Sequence, residues 1–75
     1  MTEQEKIEVL TESIKELFDI DLTDEITLET DFTLLGLDSL DAVELQLHVE
    51  EKLNTRLSDP IGSVRTVADF LKLVP

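Results

Sequence analysis

Cysteine is absent from this chain, so no disulfide staples it, no thiolate holds a metal, and the polypeptide cannot itself form a thioester. Any thiol it works with has to be imported. Positive charge is scarce: six basic residues stand against eighteen acidic ones, a net charge of −12. That balance excludes nucleic-acid binding through phosphate neutralisation and points to basic partners. No apolar run reaches membrane length and no signal peptide opens at Met1-Thr2-Glu3, so the chain reads as cytoplasmic and without membrane association; a monomer is expected. There is one histidine, His48, and no G-x-S-x-G elbow. What is present is a hydrophobic content of 41 %, which argues against disorder despite the charge. Seventy-five residues make one small domain, 1–75, whose stability should total roughly 4 to 11 kcal/mol.

The apolar residues are spaced for helices. Thr2-Glu3-Gln4-Glu5 is a capping box, and Ile7, Leu10, Ile14, Leu17 and Phe18 recur at threes and fours, predicting a helix over about 3–18. From Asp19 to Leu37 the period dissolves into a long loop that its own apolar residues must pin, with Phe32 and Leu35 as anchors and Gly36 supplying the turn. Asp19, Asp21 and Thr23 have the spacing of a calcium loop. Asp24 stands where that loop needs glycine, though, and Thr30 where it needs a bidentate glutamate, so no metal site is assigned.

The next helix is predicted over about 39–53. One side carries Ala42, Leu45, Val49 and Leu53 to the core; the other carries Asp41, Glu44, His48 and Glu51 as a polar stripe, with His48 read as a solvated helix residue. Leu40, Val43 and Leu47 border the acids, and Val43 is expected to be covered by the fold. Ser58-Asp59-Pro60 predicts a helix of about one turn, and Thr66-Val67-Ala68-Asp69 caps a last helix with the stripe Val67, Phe70, Leu71, Val74. With no alternating strand pattern, the expected fold is all-α: a small antiparallel four-helix bundle of three longer helices and one short one, with a long first loop.

Between loop and second helix stands Gly36-Leu37-Asp38-Ser39-Leu40. Asp38 is a good N-cap, which puts Ser39 at the first helical position, beside free N–H groups and partial positive charge that suit a phosphate ester. As a nucleophile Ser39 would need a base, yet His48 lies roughly 13 Å along the same helix and on its opposite side. The remaining use of the hydroxyl is as an attachment point, modified by another enzyme that reads Asp38, Asp41 and Glu44.

Gly36-Leu37-Asp38-Ser39-Leu40-Asp41 followed by Val43-Glu44-Leu45 resembles the signature of acyl carrier proteins, and the likeness runs over essentially the whole chain. The resemblance implies a 4'-phosphopantetheine arm on Ser39, drawn from coenzyme A by a phosphopantetheinyl transferase. It implies a non-enzymatic shuttle that presents acyl thioesters to the acyl-transferring and chain-elongating enzymes of fatty-acid or polyketide synthesis. Leu40, Asp41, Glu44, Leu47 and Glu51 would meet basic docking patches on those partners, and Val49, Leu57, Ile61, Val64 and Ala68 would surround the acyl chain. The segment around Pro60 is shorter and less acidic than in typical members, and Arg56 and Arg65 nearby bear on which enzymes bind. Two other readings stay open: a peptidyl or aminoacyl carrier, which shares fold and serine but tends to show Gly-Gly before the attachment dipeptide, and an acidic interaction module without a prosthetic group.

Overall fold

Three reciprocal or single side-chain caps start the three α-helices of the computed structural model, which describes residues 2–21 and 26–75. The helices are α1 (Glu3–Phe18), α2 (Ser39–Leu53) and α3 (Val67–Leu71), with 3-10 turns at Phe32–Leu35 and Ile61–Ser63. Leu22, Thr23, Asp24 and Glu25 lie outside the described residues, and with them part of the calcium-like spacing. No helix among the described residues is long and apolar enough to cross a membrane.

α1 begins as its sequence dictates. The Glu5 N–H donates to the Thr2 hydroxyl at 3.2 Å, and the Thr2 N–H donates to the Glu5 carboxylate at 3.1 Å. Because the carboxylate accepts that backbone N–H, the Glu5 carboxyl is held below its ordinary value. The helix stops at Asp19, whose left-handed φ of 57° turns its N–H back to the Lys15 carbonyl. Leu10 and Ile14 are fully buried, and so is Ser13, with Thr11 nearly so. Both hydroxyls are satisfied inside their own helix, Thr11 donating to the Ile7 carbonyl and Ser13 to that of Val9, each at 2.8 Å, so their burial leaves no orphaned group.

α1 packs on α2, and a charged tie closes the seam. Lys52 Nζ lies 3.0 Å from Glu16 Oε1 and 3.4 Å from Glu12 Oε2, while His48 Nε2 lies 2.7 Å from Glu16 Oε2. His48 is therefore half-buried against α1 and not a solvated member of the acidic stripe. Lys52 and then His48 hold the Glu16 carboxyl below its ordinary value, and Glu16 raises Lys52.

The first loop is pinned twice. Phe32 is buried as expected, and main-chain pairing also joins the loop to the start of α3. The Phe32 N–H donates to the Arg65 carbonyl at 2.8 Å, the Val67 N–H to Thr30 at 3.1 Å and the Ala68 N–H to Leu28 at 3.0 Å, around an antiparallel bridge between Asp31 and Thr66. Asp31 caps the 3-10 turn by accepting from the Thr33 N–H at 2.8 Å and hydroxyl at 2.6 Å. Those bonds, with Arg65 Nε at 2.9 Å, hold the Asp31 carboxyl below its ordinary value. Gly36 leaves the turn at φ 76°, the left-handed freedom expected of it.

The all-α class holds, but the end of the chain is less helical than the spacing suggests. Pro60 leads into a three-residue 3-10 turn, Ile61–Ser63, where a short helix was expected, and α3 has only five residues. Its last turn tightens as the Leu73 N–H donates to the Phe70 carbonyl, while the Leu73 carbonyl accepts from the Ser58 N–H. Leaving the helical period carries Leu73 inward beside Val67, Phe70 and Val74, and leaves the expected Leu71 only half-buried. These residues close one core with Leu10, Ile14, Phe32, Leu45, Val49, Leu57 and Ile61.

Candidate functional site

The start of α2 is built by a reciprocal cap. Asp38, in extended backbone, accepts the Asp41 N–H at 2.9 Å, and the Asp41 carboxylate accepts the Asp38 N–H at 3.2 Å. Ser39 is thereby fixed as the first helical residue. Its side chain is exposed, and its hydroxyl has no hydrogen-bond partner among the described residues. The free N–H groups and positive end of the helix dipole lie at the same place. His48, committed to Glu16, offers Ser39 no base.

Beside Ser39 opens a cleft of about 550 Å³. One wall is the outer face of α2, with Ala42, Val43 and Gln46 three, four and seven residues after the serine. The facing wall is Pro60, Ile61, Gly62 and Val64, and the end is closed by Phe32, Thr33 and Leu37. The lining is largely apolar, and a flexible arm on the serine hydroxyl would lie directly over it.

Of the five residues expected around an acyl chain, Ile61 and Val64 line this cleft. Val49 is fully buried and Leu57 nearly so, both in the core behind it. Ala68 lines a separate shallow groove with Leu28 and Leu71, because α3 turns that face away from Ser39. The cleft residues the sequence reading missed are Phe32, Thr33, Leu37, Ala42, Val43, Gln46, Pro60 and Gly62; the helical spacing of Ala42, Val43 and Gln46 from Ser39 was the available signal.

The expected partner face stands out from the fold. Leu40 is 74 % and Leu47 62 % exposed, and Val43, expected to be covered, is 55 % exposed. Glu44 and Glu51 are exposed beside them, whereas Asp41 is half-buried with its carboxylate engaged in the cap. Leu34, missed by the sequence reading, is 84 % exposed on the 3-10 turn before Gly36. Arg65 is tied to Asp31 at 2.9 Å, so its charge is partly neutralised within the chain.

Nothing among curated proteins or solved structures matches the chain significantly. A family model described as "phosphopantetheine attachment site" matches residues 8–74, which takes in α1 from Glu8 onward, all of α2 and α3, and the cleft. A chain matched over nearly its whole length, with a free serine hydroxyl raised at a helix start and no thiol of its own, belongs to the phosphopantetheine-attachment family of carrier proteins, whose cofactor is 4'-phosphopantetheine.

Proposed function

We propose that residues 1–75 are one acyl carrier domain, that Ser39 is its attachment residue, and that it serves fatty-acid or polyketide synthesis as a cytoplasmic, monomeric shuttle without catalytic activity of its own. The observation that carries this reading is the exposed, unpartnered Ser39 hydroxyl, set by the Asp38–Asp41 cap at the mouth of an apolar cleft. In the modification the serine oxygen attacks the β-phosphate of coenzyme A. A phosphate ester forms, the pyrophosphate bond breaks, adenosine 3',5'-bisphosphate leaves, and the serine proton passes to a base on the transferase. The arm supplies the thiol that a cysteine-free chain lacks.

The chain's own residues orient and present. Asp38 holds the serine at the helix start, while Glu44 and Glu51 attract the basic patches of a transferase and of acyl-transferring or chain-elongating enzymes. Leu40, Val43 and Leu47 add apolar contact. The Gly36-Leu37-Asp38 approach and the acids on α2 favour acyl cargo over the peptidyl or aminoacyl alternative. The test is intact mass after incubation with coenzyme A and a phosphopantetheinyl transferase. Wild type should gain one phosphopantetheine and Ser39→Ala none; an equal gain in both would overturn the assignment of Ser39.

A further inference from the structure

We infer that Gln46 is a specificity-determining residue that confines the sheltered cargo to short acyl groups, an inference that rests on the carrier reading above. Gln46 sits on the α2 wall of the cleft two turns below Ser39. Its Oε1 accepts the Ile61 N–H at 3.0 Å, a bond that spans the cleft floor from α2 to the facing 3-10 turn. Its Nε2 lies 3.4 Å from Glu50 Oε2, which also accepts the Leu57 N–H at 2.9 Å. A polar latch thus runs down α2, fastening residues 57 and 61 to it.

The latch separates two apolar regions. On the Ser39 side lie Phe32, Ala42 and Val64, open to a tethered group. On the far side, Leu45 and Val49 are fully buried and Leu57 nearly so, and none of the three lines the cleft. The walls are already close above the latch: a Cβ placed on Gly62 would meet the Ala42 Cβ at 3.9 Å. A short acyl group fits against the outer region with the latch intact. A long chain can reach the core only by parting Gln46 from Ile61, which strips an amide and a backbone N–H of their partners and faces them with an alkyl chain that offers none. The sequence reading placed this segment around the acyl chain as apolar lining; the structure puts a hydrogen-bonded amide across it.

The experiment loads the full chain from acetyl, butyryl, octanoyl and palmitoyl coenzyme A with a transferase that accepts acyl substrates, confirms each load by mass, and reads the thermal midpoint. A chain buried in the native core stabilises it, so the midpoint reports shelter. In wild type the midpoint should stay within about 2 °C from butyryl to palmitoyl, whereas in Gln46→Met, which keeps the volume and removes the amide, it should climb by about 4 °C or more. A wild-type midpoint that climbs with chain length as steeply would overturn the inference, and this series decides even if the variant folds poorly. Failure to gain mass at any chain length would instead strike the carrier reading itself.

Discussion

Removing the Asp38 side chain tests whether the helix start that presents Ser39 is built by a cap or by charge alone. Asp38→Ala deletes the carboxylate that accepts the Asp41 N–H at 2.9 Å, while the return bond from the Asp38 N–H to Asp41 survives. Loss of one such cap costs about 0.5 to 2 kcal/mol. Against a total of roughly 4 to 11 kcal/mol that is a large share, and in a domain this small each kcal/mol lowers the thermal midpoint by about 4 to 8 °C. Asp38→Asn keeps a side-chain oxygen in the same place and caps equally well, losing only the attraction of a carboxylate to the helix dipole, about 0.3 to 1 kcal/mol at low salt. Near 1 M salt, where the screening length falls to about 3 Å, that attraction is gone. Thermal melts across salt concentrations should therefore show Asp38→Asn converging on wild type while Asp38→Ala stays low. If the two variants fell together and both recovered in salt, the cap would contribute nothing and Ser39 would not be held in place by it. Transfer rates add a second readout: Asp38→Asn keeps the helix start, so its slower modification at low salt would isolate the charge read by the transferase.

Val49→Ala, at a fully buried position, removes two methyl groups and leaves a cavity, so it should cost about 2 to 3 kcal/mol; an unchanged midpoint would show that the space collapses freely. Charge reversal at Glu44 and Glu51 together should slow association with the transferase about tenfold at low salt and much less at high salt, and equal low-salt rates would mean these acids only keep the protein soluble. The Glu16 tie gives a pH dependence with a definite sign. Its folded carboxyl titrates below its ordinary 4.5, so its contribution is complete above that value and disappears as pH falls through the lowered one. Its partner Lys52 titrates above its ordinary 10.5, so the pair is intact between those limits. Glu16→Gln should therefore melt below wild type at pH 7 and approach it under acid, and a gap that persists well below pH 4 would assign the loss to packing instead.

The helix starts were legible because their causes are local. Thr2 with Glu5, Asp38 with Asp41 and Thr66 with Asp69 each act over three residues, so residue type and spacing suffice to place them. The same holds for the left-handed turn at Gly36, and for Ser39 as the first residue of α2. The length of α3 was not legible, since a few apolar residues at helical spacing do not say whether the period continues. Here the Ser58 N–H draws on the Leu73 carbonyl from outside the helix, and Leu73 turns into the core. Thr11 and Ser13 were hidden by their polarity, because a hydroxyl that satisfies itself on its own helix can be buried at little cost.

By itself the sequence determined the all-α class, the cap that sets Ser39, the acidic face of α2 and the absence of any thiol but an imported one, since composition and local hydrogen bonding carry each of these. Tertiary structure alone decided what faces that serine. The pairing of Glu16 with His48 and Lys52, the seam between residues 28–32 and 65–68, and the Gln46–Ile61 latch join groups from 15 to 40 residues apart. Their register is fixed only when the core closes and brings the segments together. Those contacts turned His48 away from the acids, left Val43 in the open, moved Val49 and Leu57 behind the cleft and set a polar amide across its floor.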